Sequence, residues 1–402
     1  MNALLKKLQG DRAIWMVTFF LSLISILAVY SAISTLAYKA DGNDLRFLVK
    51  HGLMIIMGLM LMYYIQKIKF KYISKLSQIL IVVSVALLVY ALLFGTNLNS
   101  ADRWIKIPLV GLTFQPSDFA KIALIIYVSR TLALRKDKLD DFRYGVLPIV
   151  IPVVIICGLI LPANFSTAAL LGSVCFLLMY LGGVPMRHLG KLMMAGVAGI
   201  LLIIAIGEAA PGLLPRYKTW KNRIINKASN DSDGNYQTDL AKYAIYEGGI
   251  FPKGPGSGSS RNFMPHPYSD MIYPFIIEEY GSVLGGISLV LLYLILLYRA
   301  IKLSKNNPKI SSQLTALGLA FMLVFQAFIN MGVAVSLFPT TGQPLPLVSM
   351  GGTSTLFTCL SIGLILSITR LENNQGENEI ELPEGNFMTQ EVSQQNTQRT
   401  ES

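Results

Sequence analysis

The chain has 402 residues, 53% of them hydrophobic and only 14% charged, with a formal net charge of +11. Soluble domains carry about 25% charged residues, so this composition excludes a soluble globular protein and predicts an all-α polytopic membrane protein. Cys157, Cys175 and Cys359 all fall inside apolar runs, which argues against a disulfide framework and leaves them as small packing residues.

A membrane-crossing helix needs about 20 mostly apolar residues. On that measure the sequence predicts ten spans, at 14–36, 48–65, 76–95, 116–134, 145–162, 167–185, 190–208, 271–298, 312–336 and 351–369. Residues 1–13 form a cytoplasmic N-terminus, and Lys6, Lys7 and Arg12 before so long an apolar run read as an uncleaved signal anchor. With the N-terminus inside, the inner segments hold 18 Lys and Arg, whereas the short outer connections hold five: Lys39, Arg46, Lys50, Arg103 and Lys106. The positive-inside bias therefore predicts both termini in the cytoplasm and one large outer loop, residues 209–270, between the seventh and eighth spans.

In chain order, the first polar stretch is ADRWIKIPLVGLTFQPSDFAK, residues 101–121. Arg103 and Lys106 flank Trp104, so an interfacial aromatic lies beside cations suited to a lipid phosphate. Pro116 suits a helix start, Asp118 lies in the first turn where the helix dipole favours an anion, and Lys121 is placed to pair with it. That pair either closes the helix mouth or binds a ligand. Farther on, Asn164 in LPANFSTAALL reads as a cap for the sixth span.

A loop as long as 209–270 is uncommon unless it is functional. Leu213, Tyr217, Trp220 and Ile224, with basic residues between them, predict an amphipathic helix on the outer leaflet. A second helix at 236–247, with Leu240, Tyr243 and Ala244 on its packed face, ends at Gly248 and Gly249. The glycine-rich stretch that follows can turn backbone N–H groups toward an anion, and Lys253 and Arg261 flank it. Asp270 then stands where polar loop meets apolar helix. Partial desolvation at such a boundary raises the basicity of a carboxylate, which makes Asp270 the candidate general base; the alternative is a helix-cap acid, with Ser269 capping the helix and Pro274 in its first turn. Glu278 and Glu279 lie deeper, where an acid needs a partner or a water-filled cavity, and at least one is expected to line the site. In FPTTGQPLPLVSMGGTS, residues 338–354, three prolines forbid a continuous helix, and a loop folded back into the bundle is expected to wall the same cavity with Ser349, Gly351 and Gly352. The tail, residues 371–402, has too little apolar surface to fold; its segment from Glu372 contributes −6 to the net charge and leaves +17 on the rest.

Taken together and in order, RWI, QPSDFAK, AIYEGG, KGPGSG, SDMIYPFIIEEYG and PTTGQPLPLVSMGGTS resemble the shape, elongation, division and sporulation family of bacterial peptidoglycan polymerases, over residues 14–370. PTTG at 339–342 and the tail resemble its septal branch, with the elongation branch the close alternative. The resemblance implies an inverting glycosyltransferase that polymerises lipid II at the outer face of the cytoplasmic membrane during cell division, with the essential aspartate at Asp270. It also implies a divalent cation (Mg or Mn) at the lipid diphosphate, no organic cofactor, no nucleic-acid partner, a class B penicillin-binding protein as transpeptidase partner and other divisome membrane proteins around it. Two positions depart from the family pattern: the usual Asp-Leu-Gly-Thr reads Asn164-Phe165-Ser166-Thr167, and the usual Glu of QPSE is Asp118. A transporter that flips lipid II is the rival from another class, and a noncatalytic scaffold is the third.

Overall fold

A computed structural model describes residues 10–39, 44–98, 101–106, 113–209, 217, 221, 232–260, 263–264, 268–305 and 307–380. The first three predicted spans are α1 (Arg12–Lys39), α2 (Asp44–Ile65) and, after the short α3 (Phe70–Lys75), α4 (Ser77–Phe94). The fourth to seventh are α5 (Pro116–Leu134), α6 (Leu147–Ile160), α7 (Phe165–Leu181) and α8 (Met186–Ala209). Beyond α9 (Ser232–Gly248), the eighth is broken into α10 (Ile272–Tyr280) and α11 (Ser288–Lys305) by a wide π turn at Gly281–Ile287. The last two are α12 (Ile310–Ala334) and α13 (Thr353–Ile380).

Among the described residues, eight helical stretches are long and apolar enough to cross a membrane. The other two predicted spans are helices as well. α7 has only 17 residues, and α5 carries Asp118, Lys121 and Arg130 within its length. The protein is thus a polytopic, almost wholly helical membrane protein. Among the described residues there is one sheet, small and antiparallel, order β1 (Thr96–Leu98), β2 (Ala101–Lys106), β3 (Thr113–Phe114), at the connection before α5.

The interior is built around α12 and α13, each 72% buried over its apolar window, whereas α8 is 6% buried and stands at the edge. Apolar burial does not drive helix association inside lipid, so close backbone approach matters more. α13 lies tightly on α2: a Cβ at Gly58 would come within 2.7 Å of Cys359 Sγ, and one at Gly363 within 3.1 Å of Met62 Cα. All three cysteines are free thiols, Cys175 and Cys359 fully enclosed.

At the predicted inner end, Asp11 caps α1 by accepting from Ile14 N at 3.0 Å and forms an ion pair with Arg299 near the end of α11. Arg130 of α5 donates to Ser74 O and Lys75 O, at 2.7 and 2.8 Å, closing the C-terminus of α3. α13 runs on to Ile380, ten residues into the segment predicted to be unfolded. Elongating an existing helix is cheap once the membrane part has nucleated it, which composition alone does not register. Residues 381–402 lie outside the described residues.

Replacing Gly58 by Val is expected to cost about 1–3 kcal/mol by overpacking against Cys359. Thermal unfolding in detergent checks it. Gly52→Ala, where an added Cβ meets nothing within 4 Å, serves as the control and should leave the transition in place.

Candidate functional site

The segment between α12 and α13 enters the bundle as irregular chain, with Gln343, Leu345, Leu347, Val348 and Ser349 all buried. Its prolines, Pro339, Pro344 and Pro346, prevent a helix, so its carbonyls need donors from elsewhere. Asn330 Nδ2 donates to Gln343 O at 2.8 Å, Gln326 Nε2 to Pro344 O at 2.9 Å, Tyr293 OH to Pro346 O at 2.5 Å and Ser25 Oγ to Val348 O at 2.7 Å. The same segment holds the turn that carries Asp270. Met350 N donates to Tyr268 O at 2.9 Å, Ser349 Oγ to Ser269 O at 2.5 Å and Asn330 Nδ2 to Asp270 O at 2.8 Å. Ser349 also accepts from Leu345 N at 2.8 Å, so its hydroxyl is engaged within the protein.

Beside this turn lies a cavity of about 290 Å³. Its wall combines Lys50, His51 and Met54 of α2, Trp104 of β2, Asp118 and Lys121 of α5, Asn164 and Thr167 at the start of α7, Tyr268 and Ser269, and residues 342–344 and 350–352. Residues from or next to all five predicted outer connections therefore meet at one place. Lys121 Nζ pairs with Asp118 Oδ1 at 2.8 Å and reaches Gln326 Oε1 at 3.4 Å, while Asp118 Oδ2 is buried without a partner. His51 Nε2 lies 2.8 Å from Ser25 Oγ. The Ser25 proton goes to Val348 O, so in a neutral ring Nε2 carries the hydrogen and Nδ1, which has no partner, is an acceptor. Asp270 is half-buried next to the wall: a Cβ at Gly342, whose φ is +61°, would stand 3.9 Å from Asp270 Oδ2. Burial and then the charge of Asp270 push the Tyr268 phenol above its ordinary value, so it remains protonated at neutral pH.

The glycine-rich loop does present its N–H groups to anions, but these are the protein's own. Glu278 Oε1 accepts from Ser259 N at 2.8 Å and Ser260 N at 3.1 Å, and its Oε2 from Ser260 Oγ. Glu279 Oε1 accepts from Gly256 N at 2.9 Å and from Ser31 Oγ at 2.5 Å, which ties the loop to α1. Both acids are fully buried, and neither lines the cavity; N–H and hydroxyl donors meet both oxygens of Glu278 and Oε1 of Glu279. Lys253 N and Gly254 N both reach Glu279 O at 3.0 Å, and Gly281 has no room for a side chain, since a Cβ would lie 2.5 Å from Ile250 O.

The family profile for the FtsW, RodA and SpoVE proteins, described as cell cycle proteins, matches residues 11–374. The chain belongs to this family. It is 28% identical to stage V sporulation protein E of Bacillus subtilis, over 91% of this chain and 98% of that one. It is 30% identical to a probable peptidoglycan glycosyltransferase FtsW of Coxiella burnetii, over 88% of this chain and 95% of the relative. Among solved structures, it is similar to a chain of a peptidoglycan synthase complex that coordinates polymerization and crosslinking, with TM-score 0.71 and 25% identity, covering 90% of this chain and 98% of that chain. The rod shape determining protein RodA of Thermus thermophilus gives TM-score 0.65 at 24% identity, covering 90% and 97%.

In this member of the FtsW, RodA and SpoVE family, the cavity brings together Asp118, Lys121, Gly351 and Gly352 of the predicted site, with Asp270 adjacent. Lys253 instead forms an ion pair with Glu247 at 3.0 Å and is not part of the wall. The side chains of Arg103 and Lys106, the whole of Arg261 and the predicted helix at 213–224, apart from Tyr217 and Lys221, lie outside the described residues. Trp104 faces the cavity rather than serving only as an interfacial anchor. Asn164 caps α7, accepting from Thr167 N at 3.2 Å. Ser269 does not cap α10, because the helix starts only at Ile272 and its N-cap position falls on Met271, which makes no side-chain bond. The buried stripe of α9 runs through Thr238, Ala241 and Ala244, leaving Tyr243 exposed, since small residues let this short helix approach its neighbours. Lys50, His51, Gln326 and Asn330 were not anticipated. Polar residues inside otherwise apolar spans, two of them amides four apart on α12, were the available signal.

Removing the charge at Glu278 is expected to loosen residues 254–260. Glu278→Ala should forfeit about 2–3 kcal/mol of local stability, because hydrogen bonds to a charged acceptor are the strong class. Faster amide hydrogen exchange confined to that peptide would show it.

Proposed function

We propose that this protein is a peptidoglycan glycosyltransferase that polymerises lipid II into glycan strands at the outer face of the cytoplasmic membrane, in septal wall synthesis. The observation that carries the reading is the cavity beside Asp270, lined by charged and polar side chains at the predicted outer end of the bundle. The names of the relatives, probable peptidoglycan glycosyltransferases among them, support the substrate class.

In this reading Asp270 takes the proton from the C4 hydroxyl of the acceptor sugar. The freed oxygen bonds to the anomeric carbon of the donor from the face opposite its leaving group, the bond from that carbon to the phosphate oxygen breaks, and undecaprenyl diphosphate departs with the electron pair. Configuration inverts. Lys50 and Lys121 on the cavity wall are the cations placed to meet diphosphate charge as it develops, with Arg103, Lys106 and Arg261 as further candidates from the sequence. Among the described residues no three His, Cys, Asp or Glu side chains converge to hold a metal ion. A divalent ion at the diphosphate would be held chiefly by substrate oxygens with one or two carboxylates, as such ions commonly are. Crosslinking is assigned to a class B penicillin-binding protein. Similarity to a chain of a synthase complex supports that partnership.

The test is polymerisation of labelled lipid II by the purified protein with its transpeptidase partner. Asp270→Asn should lower the rate about 10²–10⁴-fold at equal folded concentration, the range lost with a general base. Full activity in the variant would remove Asp270 from the chemistry. Lipid II flipping in protein-only vesicles with no polymer formed would replace the polymerase by a transporter.

A further inference from the structure

Asn330 lies in the last two turns of α12, 2% exposed, and does not line the cavity. Its Nδ2 is 2.8 Å from Asp270 O and 2.8 Å from Gln343 O. An amide nitrogen has two hydrogens, so both are used, one on each side. One acceptor belongs to the residue proposed as base. The other belongs to the cavity wall, whose Gly342, Gln343 and Pro344 face any substrate held there.

We infer that Asn330 is a positioning residue: it locks the main chain of Asp270 to the substrate-facing wall, so that base and bound sugar keep one spacing. The inference rests on the reading of Asp270 as the base. Its physical ground is that a general base works only within hydrogen-bond reach of its proton, and a displacement of about 1 Å can cost about 10²-fold in rate. The mount is suited to that task, since α12 is among the most buried helices and Asn330 acts on backbone rather than on the carboxylate. Met350 N and Ser349 Oγ hold the two preceding carbonyls, so the turn is fixed at three consecutive residues and Asn330 holds the one nearest the chemistry.

A residue that only supported the fold, or one that bound substrate, would give a different signature. The experiment uses the full chain with its transpeptidase partner and compares wild type with Asn330→Leu, which is similar in size and has no donor. Asn330→Asp, the same shape with at most one donor, stands in should the leucine variant not fold. Two readouts are taken. Amide exchange of the peptides covering 345–352 and 268–275 should quicken about fivefold or more in the variant, while peptides of α2 remain unchanged. Lipid II polymerisation should show kcat lowered at least tenfold with KM within about twofold of wild type. Unchanged exchange at both peptides, an unchanged kcat, or a KM that rises as much as kcat falls would each overturn the inference. If wild type itself made no polymer, the glycosyltransferase reading would fall, and the exchange readout would still decide whether Asn330 holds the turn.

Discussion

Irregular backbone inside a helical membrane bundle has to find its hydrogen bonds in protein, because lipid offers none and each unpaired group costs about 2–7 kcal/mol. The segment between α12 and α13 meets this constraint in an economical way. A proline has a carbonyl but no N–H, so Pro339, Pro344 and Pro346 leave the segment asking mainly for donors. Donors are what the surrounding helices provide: Ser25 from α1, Tyr293 from α11, Gln326 and Asn330 from α12, each ending on a different carbonyl. The prolines therefore both break the helix and simplify the demand that the break creates.

The acids of the outer end divide according to who holds them. Glu278 spends both carboxylate oxygens on Ser259 and Ser260, and Glu279 joins the loop to Ser31 of α1; their work is to shut a glycine-rich segment against the bundle. Asp118 is held on one oxygen by Lys121 and keeps the other free of partners at the cavity. Asp270 is held through its backbone, its carbonyl accepting from Asn330 Nδ2 at 2.8 Å. Backbone N–H groups of the glycine-rich loop thus converge on Glu278 and Glu279, whereas Asp118 is met by a lysine side chain.

Much of this was legible in the sequence. The ten apolar runs all fall on helix, the eighth split between α10 and α11, prolines between Phe338 and Met350 mark the interior loop, and the polar-to-apolar boundary at Asp270 falls beside the cavity. The glycine loop was legible as a nest of N–H groups but not in its occupant, because spacing along the chain does not reveal that Glu278 and Glu279 return to meet residues 256–260. The small sheet before α5 was hidden for a related reason: strands of two to six residues carry too little periodicity to stand out beside long apolar helices. Gln326 and Asn330 were visible as amides in a span, yet their partners lie on the interior loop and on Asp270, contacts that only the folded chain creates.

Where the site is mounted follows from the same packing. Helices α12 and α13 are the most buried of the apolar stretches, and the segment joining them supplies part of the cavity wall. α13 cannot slide readily, because Gly58 and Gly363 bring it into backbone contact with α2, the helix that contributes Lys50 and His51 to the opposite part of that wall. A side chain set on such elements keeps its geometry better than one on a free loop. α8, by contrast, presents nearly all of its apolar surface outward and supplies no residue to the cavity. The fold thereby separates a buried interior that carries the polar-lined cavity from a peripheral helix suited to lipid contact, and the chemistry proposed for Asp270 requires the first of these.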